Sequence, residues 1–261
     1  MNKKTASITI LSILLLSTII ITALAQPRIV GVTEGDWFKH VEITVEWNTN
    51  DTGATFPPKG WEWLEEWNQT EWMTSNVTAI TNTNITALVN QYFKDDTEKT
   101  RIGWIDIDTG NSSQLTNETM DMTFMYISAN LEENDALYSA GSYSDWRINE
   151  TVTRTYPEET RHINHLNLTS EYSYVNAITL YYYYSMNYYW DKNTGILVEW
   201  TIQSINHTNQ YLTTWSVTSK ITDSNLWIVP EFPIGLLTLL TLMALTTTTI
   251  IYKRKLKPQI Y

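Results

Sequence analysis

Four histidines, His40, His162, His165 and His207, are the only imidazoles in this 261-residue chain. Only His162 and His165 are near one another, and in an extended strand a spacing of three puts two side chains on opposite faces. A shared metal is therefore not expected there. No serine sits in a Gly-x-Ser-x-Gly elbow, and no His-Glu-x-x-His occurs. Cysteine is absent, which removes thiol nucleophiles, thiolate zinc sites and lipid attachment through sulfur. Asp106-x-Asp108-x-Gly110 has the oxygen-ligand spacing that opens a calcium loop, without the bidentate glutamate that closes one. The same residues read equally as a strand ending in an Asp-Thr-Gly turn, and Asp191-Lys192-Asn193-Thr194-Gly195 repeats that turn chemistry. Asp106 and Asp108 are thus the only metal candidates. No catalytic residue and no cofactor is expected, and the chain reads as a non-enzyme.

The aromatic load offers a different chemistry. There are 12 Trp and 16 Tyr against 5 Phe, and Tyr181-Tyr182-Tyr183-Tyr184 with Tyr188-Tyr189-Trp190 puts rings on both faces of one strand. Amphipathic rings fill a core yet tolerate wet edges. One reading is a concave surface that stacks on sugars or encloses an apolar ligand. The other, favoured by the ordinary enrichment of aromatics in strands, is packing plus edge decoration.

The elements that must carry these residues follow period two. Trp37, Lys39, Val41, Ile43, Val45 and Trp47 share one face of a strand, with His40, Glu42, Thr44 and Glu46 on the other. Further strands are predicted over Trp72–Ile80, Ile85–Phe93, Ile102–Asp108, Met122–Ala129, Ile148–Tyr156, His162–Thr169, Thr179–Trp190, Ile196–Ile205 and Tyr211–Thr222. Thr81-Asn82-Thr83-Asn84 and the Asp191–Gly195 segment are hairpin turns, with Gly195 free to take the left-handed conformation. Trp61, Leu64 and Trp67 lie three apart after Pro57-Pro58 and predict one short helix. The expectation is an all-β domain of nine to eleven antiparallel strands, a curved sheet forming a half-barrel or a sandwich, plus one C-terminal transmembrane helix.

The chain ends predict where that domain lives. Met1-Asn2-Lys3-Lys4, an apolar run from Ile8 to Ile21 and Ala23-Leu24-Ala25 form a secretory signal spanning residues 1–25, cleaved between Ala25 and Gln26. An uncleaved N-terminal anchor is the alternative. Residues 234–252 carry no charge, and 19 helical residues reach about 28 Å, close to the thickness of a hydrocarbon core. Lys253-Arg254-Lys255-Leu256-Lys257 follows, and basic residues beside a span stay inside. These features predict a single-pass protein of the cell membrane, with residues 26–229 outside and the 253–261 tail in the cytoplasm.

Residues 26–229 hold 11 basic and 27 acidic side chains, a net charge of −16. Such a surface repels nucleic acid. Without disulfides the domain must be held by its core, which about 200 residues can supply. Asn-x-Ser/Thr occurs at Asn50, Asn68, Asn76, Asn84, Asn111, Asn117, Asn149, Asn167 and Asn206. That is roughly twice the chance frequency for this composition, all in the exterior segment and expected at exposed turns, so N-glycosylation at several of them is predicted.

Val229-Pro230-Glu231-Phe232-Pro233, directly before the apolar span and basic cluster, resembles the PEF-type C-terminal sorting signal of archaeal surface proteins. By that resemblance Pro230, Glu231 and Phe232 are the motif read by an archaeosortase-like membrane transpeptidase, which removes the helix; a retained anchor is the alternative. The segments Gly35–Lys39 and Tyr189–Glu199 look like parts of uncharacterised archaeal exported proteins. Tyr189–Glu199 is also similar to a hairpin of LolA/LppX-like lipoprotein carriers, whose open half-barrels cradle acyl chains. Together these readings predict a glycosylated, membrane-anchored surface protein of structural or adhesive function, or else an extracellular binder of an apolar or carbohydrate ligand.

Overall fold

The computed structural model describes residues 27–41, 43–58, 61–156, 159–175 and 179–227. The signal segment with Ala25 and Gln26, the Pro230-Glu231-Phe232 motif, the 234–252 stretch and the basic tail all lie outside these residues. Among the described residues no helix is long and apolar enough to cross a membrane.

Among the described residues the regular structure is ten strands, one short α-helix and a 3-10 turn (Asn225–Trp227): β1 (Trp37–His40), β2 (Thr44–Thr49), α1 (Trp63–Gln69), β3 (Thr70–Thr81), β4 (Asn84–Phe93), β5 (Glu98–Asp106), β6 (Glu150–Thr155), β7 (Thr160–Val175), β8 (Thr179–Asp191), β9 (Leu197–Thr208) and β10 (Leu212–Ser224). All pair antiparallel in one sheet of order β5-β4-β3-β1-β10-β9-β8-β7-β6, with β2 also on β10. The domain is therefore all-β and antiparallel, as its period-two patterning predicts. The two hairpins expected at Thr81–Asn84 and Asp191–Gly195 join β3 to β4 and β8 to β9.

Two expectations fail. Trp37–Trp47 is not one strand but two, lying end to end along the same side of β10: β1 meets Ile221–Ser224 and β2 meets Thr213–Thr218. The register shifts between Lys39 and His40, and the break before Thr44 changes which residues face inward. Phe38 and His40 are buried in β1, whereas Val45 and Trp47 lie inward of exposed Thr44, Glu46 and Asn48 in β2. Simple alternation cannot see a bulge, so it put His40 on the wrong face. Past His40 the sheet also parts, because β3 pairs with β1 but not with β2.

The second failure is Met122–Ala129. It makes only an isolated bridge, Tyr126 to Ile196, and belongs to a coil from residue 112 to 148 that packs on the inner face of the sheet. Met122, Tyr126, Ile127, Leu137 and Tyr138 are all buried. Tyr126 meets Phe38 of β1 edge-on at 5.7 Å and shares a 3.0 Å hydrogen bond with Ser75 of β3, while Phe124 lies 5.0 Å from the Tyr188 ring of β8. A run this apolar is buried whether or not it pairs, so its composition alone could not distinguish strand from plug.

Two copies of one turn hold that coil. Asp106 accepts the Asp108 N–H at 3.0 Å and the Thr109 hydroxyl at 2.9 Å; Asp191 accepts the Thr194 N–H at 2.8 Å and its hydroxyl at 2.9 Å. In both, the glycine four residues on takes a left-handed backbone, with φ +72° at Gly110 and +74° at Gly195. Both glycines are also pressed by the coil. A Cβ on Gly110 would lie 2.7 Å from the Tyr138 ring, and one on Gly195 2.1 Å from the Ile127 carbonyl. Glycine is required there for its φ and for the missing Cβ at once.

Candidate functional site

At seven residues α1 is too short to be stable alone. Its N-cap, Glu62, makes no side-chain capping bond. Tertiary contacts hold it instead. Leu64 is fully buried, Trp67 meets Trp200 of β9 edge-on at 5.1 Å, and Glu66 forms a two-pronged ion pair with Arg101 of β5 at 2.6 and 2.9 Å. Arg101 has a side chain only 2% exposed and also donates to Gln91 Oε1 at 2.7 Å, while Gln91 donates to the Thr70 hydroxyl at 2.6 Å. Burial works to raise the Glu66 pKa, but the Arg101 hydrogen bonds and charge outweigh it and the carboxyl titrates below its ordinary value. Both partners of a buried charge pair are needed, because a lone buried charge is costly.

Between this helix, β8, β9 and the coil opens a cleft of about 510 Å³, within the size range of small-molecule sites. Its walls are Trp63 and Trp67 from α1, Tyr188 from β8, Trp200 and Ile202 from β9, and Met120, Phe124 and Met125 from the coil. Two methionines among aromatics make an adaptable lining. Two carboxylates reach it, and both are engaged: Glu66 by Arg101, and Asp121 by the Thr123 N–H at 2.9 Å. Phe124 stands at the inner end with a left-handed backbone, φ +67°. Its carbonyl accepts the Trp190 indole N–H at 2.7 Å, and its ring contacts Tyr143 at 4.9 Å and Trp146 at 5.2 Å. A bulky residue in that conformation persists only where its surroundings impose it.

The aromatic strand divides as its period predicts. Tyr184, Tyr188 and Trp190 of β8 face inward, Tyr184 lying 6.3 Å from Trp215 and 5.8 Å from Trp61. On the outer face Tyr189 stacks on His165 at 4.3 Å and lies under Arg154 at 3.7 Å. The cleft lies where the coil meets the inward rings without filling the space beside α1: Tyr188 and Trp200 are buried there, and Trp63 and Trp67 are half-buried. The sequence placed Trp61–Trp67 and the β8 rings correctly, but not Trp200 or the coil residues that complete the walls. No local pattern marks Met120, Phe124 and Met125 as site residues, because a buried irregular segment carries no period.

The other candidates disperse. Asp106 and Asp108 serve the turn and its neighbours: Asp106 caps the turn, and Asp108 meets the Ser139 hydroxyl and the Arg28 guanidinium, the latter at 4.0 Å. Among the described residues no group of three or more His, Cys, Asp or Glu side chains gathers as a metal site would. His162 and His165 lie on opposite faces of β7, and His165 bonds Glu150 and Asn187 at 3.0 Å each. His40 is fully buried, with Nε2–H donating to the Leu197 carbonyl at 3.1 Å and Nδ1 accepting from Ser219 at 2.9 Å. A carbonyl can only accept, which fixes that tautomer. Burial pushes its pKa down to about 4.

None of the nine sequon asparagines is buried, but they do not all mark turns. Asn50, Asn111, Asn117, Asn149, Asn167 and Asn206 are exposed, while Asn68, Asn76 and Asn84 are half-buried. Asn76, Asn167 and Asn206 lie within strands, and Asn68 lies within α1. Asn50 and Asn149 also serve the fold, their Oδ1 atoms accepting the Leu212 N–H at 2.7 Å and the Asn167 N–H at 2.6 Å.

With this geometry in view, comparison outward adds no relative: no protein-family model and no curated protein matches the chain.

Proposed function

We propose that this chain is an exported, membrane-anchored surface protein whose β-domain binds an apolar ligand and performs no chemistry on it. The observation that carries this reading is the 510 Å³ cleft walled by Trp63, Trp67, Tyr188, Trp200, Met120 and Met125. Apolar surface of that extent gains stability when a ligand displaces its water. Eleven of the fifteen lining residues are apolar or aromatic, and Glu66 is held by Arg101, which supports an acyl or prenyl group over a sugar; the polar side chains left are Gln114, Asp121 and Thr123. Similarity of the Tyr189–Glu199 hairpin to LolA/LppX-like carriers supports a curved sheet more than it supports any one ligand.

Export and anchoring are supported by the 1–25 signal, the uncharged 234–252 stretch and the basic tail. The PEF-like Pro230-Glu231-Phe232 motif supports an archaeal surface protein handled by an archaeosortase-like enzyme, and outward-lying sequons support glycosylation. A structural or adhesive envelope role is the second reading, favoured by the acidic, sequon-bearing exterior.

Native mass spectrometry of the full chain released from its own membranes tests the leading reading. It predicts a copurifying apolar molecule that is lost in Trp67→Ala. A copurifying oligosaccharide held in the cleft would replace the apolar ligand by a sugar. An empty wild-type protein that takes up neither class leaves the envelope role standing.

A further inference from the structure

The two ends of the sheet are finished differently. β5 is covered along its outer side by residues 112–120: the Ile102 N–H donates to the Glu118 carbonyl at 3.1 Å, the Met120 N–H to the Ile102 carbonyl at 3.0 Å, and the Ser113 N–H to the Trp104 carbonyl at 3.0 Å. At the opposite end β6 pairs with β7 only from Thr160 to His165, whereas β8 pairs with β7 as far as Val175. Ten residues of β7, Leu166 to Val175, therefore have a strand on one side only among the described residues.

The peptide groups on that free side can be identified. The His165 carbonyl accepts the Asn149 N–H at 2.9 Å, and the Asn167 N–H donates to Asn149 Oδ1 at 2.6 Å, both away from β8. Odd-numbered residues of β7 thus turn their main chain outward, and Thr169, Glu171 and Ser173 follow in step. Leu166–Val175 contains no proline and no lysine and pairs with β8 without a bulge; Glu171 is its one charge, and the pairing requires Asn167, its one sequon asparagine, to be among those that carry no glycan.

Composition says what kind of surface this is. Leu166–Val175 carries one charge, Glu171, and two tyrosines, Tyr172 and Tyr174, and Tyr172 is exposed and stacks on Tyr182 of β8 at 5.1 Å. Charge depletion with tyrosine enrichment is the signature of a protein–protein interface core. On a domain carrying −16, an almost neutral strip is also where two acidic copies meet with least repulsion.

We propose that the free edge of β7 pairs antiparallel with the same edge of a second copy, joining two ten-stranded sheets across a two-fold axis. A strand edge is self-complementary, so an isologous pair needs no other chain. Two-folds at Ser170 or Tyr172 set Glu171 opposite Thr169 or Ser173, which avoids facing carboxylates. The pairing is a property of the domain and does not depend on what fills the cleft.

The chain has no cysteine, so single-cysteine variants of the full chain in detergent micelles report directly. Ser170→Cys or Tyr172→Cys is expected to cross-link to itself under mild oxidation, and Thr100→Cys on the far strand is not. Glu171→Pro removes an outward N–H that the monomer does not use, so it is expected to keep the wild-type circular dichroism spectrum and to shift the mass by light scattering from two chains to one. Should Glu171→Pro misfold, Ser173→Pro and Ser173→Asp make the same test. A monomeric wild type overturns the proposal. So does a dimer that survives all three substitutions or cross-links only elsewhere.

Discussion

The inner face of the sheet has two halves built from the same residue types. Under the 112–148 coil, Trp190, Tyr126, Ile127 and Tyr138 are sealed, and the buried polar groups His40, Asn164 and Ser75 each have a partner. Beside α1, Trp63, Trp67, Tyr188 and Trp200 line open space. The difference teaches that aromatic content does not distinguish a core from a site here. What distinguishes them is whether the coil fills the space against the rings or stops short of it.

Substitutions in the closed half should therefore act on stability, and those in the open half on binding. Trp190→Ala empties a fully buried site and should lower unfolding stability by about 3–5 kcal/mol, read by chemical denaturation. Arg101→Met, at the joint between the halves, should cost up to about 3 kcal/mol by leaving half-buried Glu66 with only Lys99 at 3.9 Å, and adding Glu66→Gln should restore much of it. If the double variant is no more stable than Arg101→Met, the pair does not hold α1.

A pH titration addresses the closed half next. Folded His40 titrates at about 4 against an ordinary 6.5, so as pH falls the unfolded chain takes up the proton first. Stability present above pH 6.5 should decline between pH 6.5 and 4 by about 3 kcal/mol, and His40→Gln should flatten that decline. Trp67→Ala should be the mildest for the fold, about 1–2 kcal/mol, because its ring is only half-buried. An equal loss from Trp67→Ala and Trp190→Ala would erase the distinction between the halves.

Much of the fold was legible in the residues. Hairpins at Thr81–Asn84 and Asp191–Gly195 announce themselves by turn chemistry, and the Trp61–Leu64–Trp67 spacing finds α1 to within two residues. Period-two patterning fails where the main chain shifts phase, which is why His40 looked solvent-facing. It fails again at Met122–Ala129, where burial comes from lying across the sheet and not from joining it. For the same reason half of the cleft was visible beforehand. Trp67 and Tyr188 sit on periodic elements, while Met120, Phe124 and Met125 become neighbours only once the coil is folded back. The free edge of β7 was hidden because pairing partners, unlike strands, are not written locally.

The binding claim is tested most directly by titrating N-phenyl-1-naphthylamine, a neutral apolar probe, into the wild-type protein, Trp67→Ala and a second cleft variant, Met125→Glu. Saturable fluorescence enhancement in the wild type, lost in both variants while their far-ultraviolet circular dichroism is unchanged, is the predicted result. A wild type that leaves the probe dark, or variants that bind it as tightly as the wild type, would contradict the account.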